Sequence, residues 1–298
     1  MRRRLDEHQR GHAARAYAAG RWRSIPRRPG PCKHAHHAGP AVTAPGARAG
    51  ARAGAQAVAE LHVGTSGWSY PHWAGPFYPQ DLPDDEWLGY YARRFASVEI
   101  NNSFYQLPAR ETLATWRDTV PPGFEFAVKA SRYVTHMKKL KDPAVTMPGF
   151  LERVATLGRH LGPILFQLPP RWHCNADRLH DFLAALPHDH RYAFEFRDPS
   201  WFDPAILGLL EGFGAAFCVY DLGGDRSPAH VTAGFAYVRL HGPGAAYQGS
   251  YSEQALRDWA RTFSDWLDAG HDVYCYFDND EAGHAAANAA RLQELARG

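Results

Sequence analysis

Tyr192-Ala193-Phe194-Glu195-Phe196-Arg197 alternates large apolar side chains with small or charged ones. In an extended strand successive side chains point to opposite faces, so Tyr192, Phe194 and Phe196 share one face and Glu195 and Arg197 the other. Val98-Glu99-Ile100-Asn101, Phe126-Ala127-Val128-Lys129, Phe166-Gln167-Leu168 and Val238-Arg239-Leu240-His241 repeat the pattern. Several strands that all hide polar groups opposite their bulky residues point to a closed barrel with a polar centre, and a polar centre points to a site.

Outward from that stretch, strand-like runs at 61–66, 97–101, 124–130, 164–168, 192–197, 216–220, 235–241 and 272–277 alternate with helix-like ones. The helical runs fall at 84–95, 110–119, 148–160, 176–186, 203–213, 252–269 and 281–296. This order predicts an α/β fold, a (β/α)8 TIM barrel. The link 221–234 is too rich in Gly and Pro for a full helix, so the βα unit between strands six and seven is expected to be degenerate. A doubly wound sheet is disfavoured because no Gly-rich phosphate turn leads into a helix.

Charge divides the chain. Residues 1–60 carry 12 Lys and Arg against 3 Asp and Glu, a net of +9, which leaves −7 for residues 61–298. Nucleic-acid binding therefore cannot rest on the bulk charge of the body. Residues 1–58, with the low-complexity run Ala47-Arg48-Ala49-Gly50-Ala51-Arg52-Ala53-Gly54, are expected to be a disordered basic extension, and 59–298 the barrel domain. No apolar core of a signal peptide follows the basic start, and no run nears the roughly 18 apolar residues of a membrane span. Cys32, Cys174, Cys218 and Cys275 stand singly rather than in metal-binding or redox pairs, which fits a cytoplasmic protein.

Barrels of this kind carry their sites at the C-terminal ends of the strands. Here those ends supply Glu99, Asn101, Lys129, Gln167, Glu195, Arg197, Arg239, His241, Asp278 and Asn279. Lys129, Arg197 and Arg239 outnumber Glu99 and Glu195, which predicts an anionic group such as phosphate or carboxylate. Glu99 or Glu195 would be the base and His241 the acid or a positioning donor. Asn101, Gln167, Asp278 and Asn279 would help to bind substrate. Trp68 and Tyr247, in aromatic loops after the first and seventh strands, suit a flat or sugar-like ring beside the charge. His136, after strand three, is a further acid–base candidate or a loop anchor.

Other readings compete. A pair of carboxylates is also the equipment of a glycosidase, although sequence does not fix their separation. His241, Asp278 and Glu195 could converge on a divalent metal, but no paired ligand motif supports it, so no metal and no cofactor is predicted. The charges could equally be a structural network, since unpaired ones would cost several kcal/mol each.

The same segments resemble, in order, the YecE-like family, labelled domain of unknown function 72. The carriers are Val63-Gly64-Thr65-Ser66-Gly67-Trp68-Ser69-Tyr70, Val98-Glu99-Ile100-Asn101-Asn102-Ser103-Phe104-Tyr105, Val128-Lys129-Ala130-Ser131-Arg132-Tyr133-Val134-Thr135-His136, Leu165-Phe166-Gln167-Leu168-Pro169-Pro170, Phe194-Glu195-Phe196-Arg197, Tyr237-Val238-Arg239-Leu240-His241-Gly242 and Tyr276-Phe277-Asp278-Asn279-Asp280. The resemblance covers about 61–298 and implies the barrel and its motif positions, without a reaction. Two residues depart from the family pattern: Asp198 stands where His is common, and Asp278 where Asn is common. The combined expectation is an enzyme of hydrolase or isomerase type acting on an anionic, ring-bearing small molecule or nucleic-acid end. A non-catalytic binding barrel and an interaction scaffold are the alternatives, and neither a membrane nor a protein partner is expected.

Overall fold

The computed structural model describes residues 58–297. The extension expected over 1–58 therefore lies, apart from Val58, outside the described residues. Eight parallel strands form the frame: β1 (Leu61–Thr65), β2 (Ser97–Ile100), β3 (Glu125–Lys129), β4 (Leu161–Gln167), β5 (Tyr192–Glu195), β6 (Ala216–Leu222), β7 (Phe235–Leu240) and β8 (Asp272–Phe277). They pair in the order β1-β8-β7-β6-β5-β4-β3-β2. The two ends of that path meet through one parallel bridge, Ser66 to Glu99, so the barrel is nearly closed. Gly64 allows the approach: a Cβ there would stand 2.1 Å from the Ser97 carbonyl oxygen.

Strand alternation sorts the core into two layers. Val63, Val98, Val128, Phe166, Phe194, Val238 and Phe277 are buried on the outer face under the helices. Ala127, Leu165, Ala193, Cys218, Tyr237, Tyr274 and Tyr276 fill the lumen. The centre is therefore packed, and polar chemistry is confined to a layer above it at the strands' C-terminal ends.

The helices are α1 (Trp87–Ala92), α2 (Arg110–Thr119), α3 (Pro143–Thr146), α4 (Pro148–Val154), α5 (Ala176–Ala184), α6 (Pro204–Gly212), α7 (Glu253–Asp268) and α8 (His284–Arg297). Their starts are written locally. Asn175 accepts from the Arg178 amide at 2.8 Å, Ser252 from Ala255 at 3.2 Å, and Asp203 from Ala205 at 2.9 Å just before Pro204, satisfying amides that a helix start leaves unpaired. On α7, Leu256, Trp259, Ala260 and Phe263 make the buried stripe.

Three differences from the expected elements have physical causes. β4 begins at Leu161 rather than 164, because the β3–β4 register shifts between Phe126 and Val128 and so accommodates Pro163; an irregular pairing tolerates a residue without an amide proton. The helix expected over 148–160 breaks into α4 and a tight 3-10 turn, Ala155–His160, with Gly158 at φ +57°. The 221–234 link holds no helix; Gly223 and Gly224 turn the chain so that Asp225–Arg226 pairs antiparallel with the end of β6. That is the degenerate unit.

Candidate functional site

Arg239, on the lumen face of β7, lies at the centre of the polar layer and is 1% exposed. Its Nη2 donates to Glu99 Oε1 at 2.7 Å and Asp278 Oδ2 at 3.2 Å, and its Nη1 to Glu195 Oε2 at 2.8 Å. Glu99 is saturated: Ser66 Oγ donates at 2.8 Å and Tyr237 Oη at 2.6 Å. Glu195 takes a second guanidinium, accepting from Arg197 Nε through Oε1. Burial alone would raise the Glu195 pKa, but Arg197 and Arg239 hold it well below the usual carboxylate range. Both glutamates are fully buried.

His241 is equally committed. Arg197 Nη2 donates to its Nε2 at 2.9 Å, which puts the ring proton on Nδ1, facing Asp278 Oδ2 at 3.0 Å. The imidazole thus bridges a cation and an anion, orienting Arg197, whose guanidinium also lies 4.8 Å from the Tyr220 ring centroid. This geometry bears on the metal alternative too. Glu195 and Asp278 flank opposite nitrogens of His241, at 3.7 and 3.0 Å, so the three do not converge on one point. Among the described residues no cluster of three or more His, Cys, Asp or Glu has metal-binding geometry.

The cation excess expected from the sequence does not survive assembly. Asp278 joins Glu99 and Glu195 on Arg239, and Glu195 also pairs with Arg197, so three carboxylates match the three cations in number. Lys129 stands apart from this pairing. It is half-buried at the end of β3, and among the described residues no carboxylate lies within 4.0 Å of its amine. Its Nζ instead sits 4.6 Å from the Phe104 ring centroid. Burial first, and then the Arg239 charge, pull its pKa down to about 8, against the opposing pull of Glu195, Glu99 and Asp278. The backbone beneath it is pinned, since Ser103 Oγ bonds the carbonyls of Ile100 and Lys129 at 2.9 and 2.7 Å.

His136 packs edge-on against the same Phe104 ring, 5.0 Å between centroids, in a π-helical turn, Tyr133–Met137. Burial and the Lys129 charge lower its pKa to about 4. Thr135 Oγ1 donates to the Ser131 carbonyl at 3.1 Å and so accepts from His136 Nδ1 at 3.0 Å, which leaves Nε2 with a free lone pair.

The remaining sequence candidates divide. Asn101 Oδ1 lies 3.5 Å from Arg239 Nη2, at the limit of a hydrogen bond, and Gln167 is buried on the lumen face with Nε2 bonded to the Leu168 carbonyl at 2.8 Å. Tyr247 stands over His241, ring centroids 5.3 Å apart. Gly242, at φ +115°, makes the turn that carries it there, and a Cβ at that position would meet the Gln248 carbonyl at 2.4 Å. Trp68, expected at the mouth, packs edge-on against Trp116 of α2 at 4.8 Å and near Phe126 on the barrel's outer face, because Gly67 (φ +98°) redirects the chain. Asn279, expected to touch substrate, is fully buried and spends its amide on the Gly249 carbonyl and Asn288 Oδ1, at 2.8 and 2.9 Å. It ties the loop after β7 to α8. Asp198 caps a turn, accepting from the Ser200 amide at 3.0 Å.

Sequence reasoning passed over Phe104 and Tyr237. The Phe104 signal was adjacency to the Asn101-Asn102 strand end; the Tyr237 signal was its shared parity with Arg239 on β7.

The family described as protein of unknown function DUF72 matches residues 62–298, which takes in all eight strands except Leu61 at the start of β1. The chain belongs to this family. UPF0759 protein YunF of Bacillus subtilis is 26% identical over 274 residues, covering 79% of this chain and 94% of YunF. UPF0759 protein YecE of Escherichia coli K12 is 30% identical over 151 residues, 48% of this chain and 50% of YecE. Among solved structures, a DUF72 family protein from Thermotoga maritima superposes with a TM-score of 0.74 at 28% identity, covering 80% of this chain and 100% of that one. A DUF72 family protein from Enterococcus faecalis, at 20% identity, shares the fold with a TM-score of 0.69 over 80% of this chain and 96% of its own. Among the described residues no helix is long and apolar enough to cross a membrane.

Proposed function

We propose that the mouth of this DUF72 barrel binds an anionic, ring-bearing small molecule, a phosphosugar or nucleotide in character, and acts on it as an enzyme. The observation that carries this reading is Lys129: it is the one cation among Lys129, Arg197 and Arg239 that no carboxylate neutralises. A half-buried ammonium without a counterion is favourable chiefly when a ligand anion completes it. The Arg239 lattice then acts as a floor that holds Asp278 and, at the limit of a hydrogen bond, Asn101 below the point where the anion docks. Exposed Tyr105 and Tyr133, on the loops after β2 and β3, offer flat surfaces on the rim to a sugar or base.

The test is thermal unfolding of the full chain against phosphosugars, nucleotides, short oligonucleotides and inorganic phosphate, with Lys129→Met in parallel. Ligand at 100 times its dissociation constant adds about 2.7 kcal/mol to stability, or about 5–10 °C at this size. A shift with one anionic class that disappears in Lys129→Met supports the reading. Absence of a shift with every class, or an equal shift in the variant, overturns it.

A further inference from the structure

The residue left without a counterion is also an amine with the surroundings of a nucleophile. We infer that Lys129 forms an imine with the aldehyde or ketone group of its ligand, so that the substrate class is an anionic carbonyl compound, either an oxo acid or the open-chain form of a phosphosugar. The inference rests on the reading that the ligand's anion docks at Lys129.

Four features of the site support it. The side chain leaves the end of β3 on the lumen side from a backbone pinned by Ser103, and its amine rests 4.6 Å from the Phe104 ring centroid. No carboxylate within 4.0 Å holds the ammonium form, while Arg239 opposes it from the lumen side. Glu195, Glu99 and Asp278 favour the ammonium form from further away, but the two arginines and His241 already occupy their oxygens. Phe104 covers the amine, restricting water on one side. A lysine that is desolvated and placed near another cation is the arrangement that makes an amine nucleophilic near neutral pH.

The step balances without a redox partner. The nitrogen lone pair forms the new C–N bond as the carbonyl π pair moves onto oxygen, which takes a proton; nitrogen loses one. The carbinolamine then expels that oxygen as water and C=N forms. His136, neutral and with Nε2 free beside the shared Phe104 ring, is the group suited to relay these protons. Protonation of the imine restores the positive charge at Lys129, so the ligand's anionic group keeps its partner.

The experiment is borohydride trapping on the full chain with glyoxylate or glyceraldehyde 3-phosphate at pH 7.4, followed by peptide mass mapping. Lys129 is one of five lysines; Lys33, Lys138, Lys139 and Lys141 serve as internal controls. A pKa near 8 leaves about a fifth of the amine neutral at that pH, against about a thousandth for an ordinary lysine. Some of that advantage is lost to the weaker basicity. The expected result is a reduced adduct on Lys129 forming at least about tenfold faster than on any other lysine, and suppressed by inorganic phosphate. Lys129→Arg keeps the charge and should keep the thermal shift while losing the adduct. If the thermal shift persists in both proteins but labelling is no faster at Lys129 than elsewhere, the imine is overturned and the anion reading stands. If neither shift nor selective adduct is found, both fall.

Discussion

Glu195→Gln removes one negative charge from between two guanidinium groups, and its cost can be worked out from the contacts. Arg239 retains Glu99 and Asp278, but Arg197 loses the one carboxylate that pairs with it among the described residues, while its side chain is 7% exposed. Glutamine cannot repair the geometry. Glu195 accepts through both oxygens, Oε1 from Arg197 and Oε2 from Arg239, so the variant's NH2 must face an arginine N–H. Breaking a buried pair by removing one partner costs about 3–5 kcal/mol, a large share of the 5–15 kcal/mol typical of a domain. The assay is urea unfolding followed by tryptophan fluorescence at pH 7 and again at pH 4. Because the folded pKa of Glu195 is held below its unfolded value, its contribution is present above the ordinary carboxylate pKa and disappears as pH falls through the folded one. The gap between wild type and variant should therefore be widest near neutrality and only begin to close at pH 4, by somewhat under about 1 kcal/mol, because that pH lies just below the unfolded value and above the folded one. A gap under about 1 kcal/mol at pH 7, or one that does not shrink in acid, would refute the buried-network account.

Gly64→Ala should open the β1–β2 seam, since a Cβ 2.1 Å from a backbone oxygen cannot be absorbed by a flexible side chain; about 1–3 kcal/mol of stability should be lost, with faster amide exchange in β1 and β2, and a neutral substitution would contradict the close approach. Asp280, bonded to Trp73 Nε1 at 2.7 Å, has its pKa raised to about 6, mainly by burial. A raised carboxyl pKa gives stability that is full below the unfolded value and fades as pH rises through about 6, so wild type should lose about 1–3 kcal/mol between pH 4 and 6 relative to Asp280→Asn; parallel profiles would contradict this. Asn279→Ala should free the loop after β7, seen as faster exchange across 242–251 with the barrel strands unchanged, whereas unaltered exchange there would rule out the tie to α8.

The barrel was legible because alternation is a local signal. Glu195 and Arg197 against Phe194 and Phe196 fix the face of β5 without any knowledge of its neighbours, and four other strands, β2, β3, β4 and β7, carry the same information. The limits of β4 were less legible, since Pro163 reads as a breaker until the register shift opposite Phe126 and Val128 accommodates it. At the site, parity assigned Glu99, Lys129, Glu195, Arg239 and His241 correctly to the lumen side. What parity cannot give is which charge meets which. Asp278 lies 39 residues from Arg239, yet it cancels the cation excess and leaves Lys129 as the free one. Trp68 and Asn279 were misplaced for a related reason: both follow strand ends, where the chain leaves the regular geometry, and the backbone turn at Gly67 or the amide of Asn288 decides their orientation.

The central claim is that Lys129, of Lys129, Arg197 and Arg239, is the one left to receive a ligand's charge, and its own titration tests this most directly. Reductive methylation with 13C-formaldehyde, followed by NMR of the five dimethyl-lysines across pH 6–11, gives each amine its midpoint. The account predicts one signal, absent in Lys129→Arg, that titrates near pH 8 and moves upward when the stabilising anion is added, because a neighbouring negative charge favours the ammonium form. A Lys129 midpoint near the ordinary 10.4, unmoved by every anion tried, would contradict it.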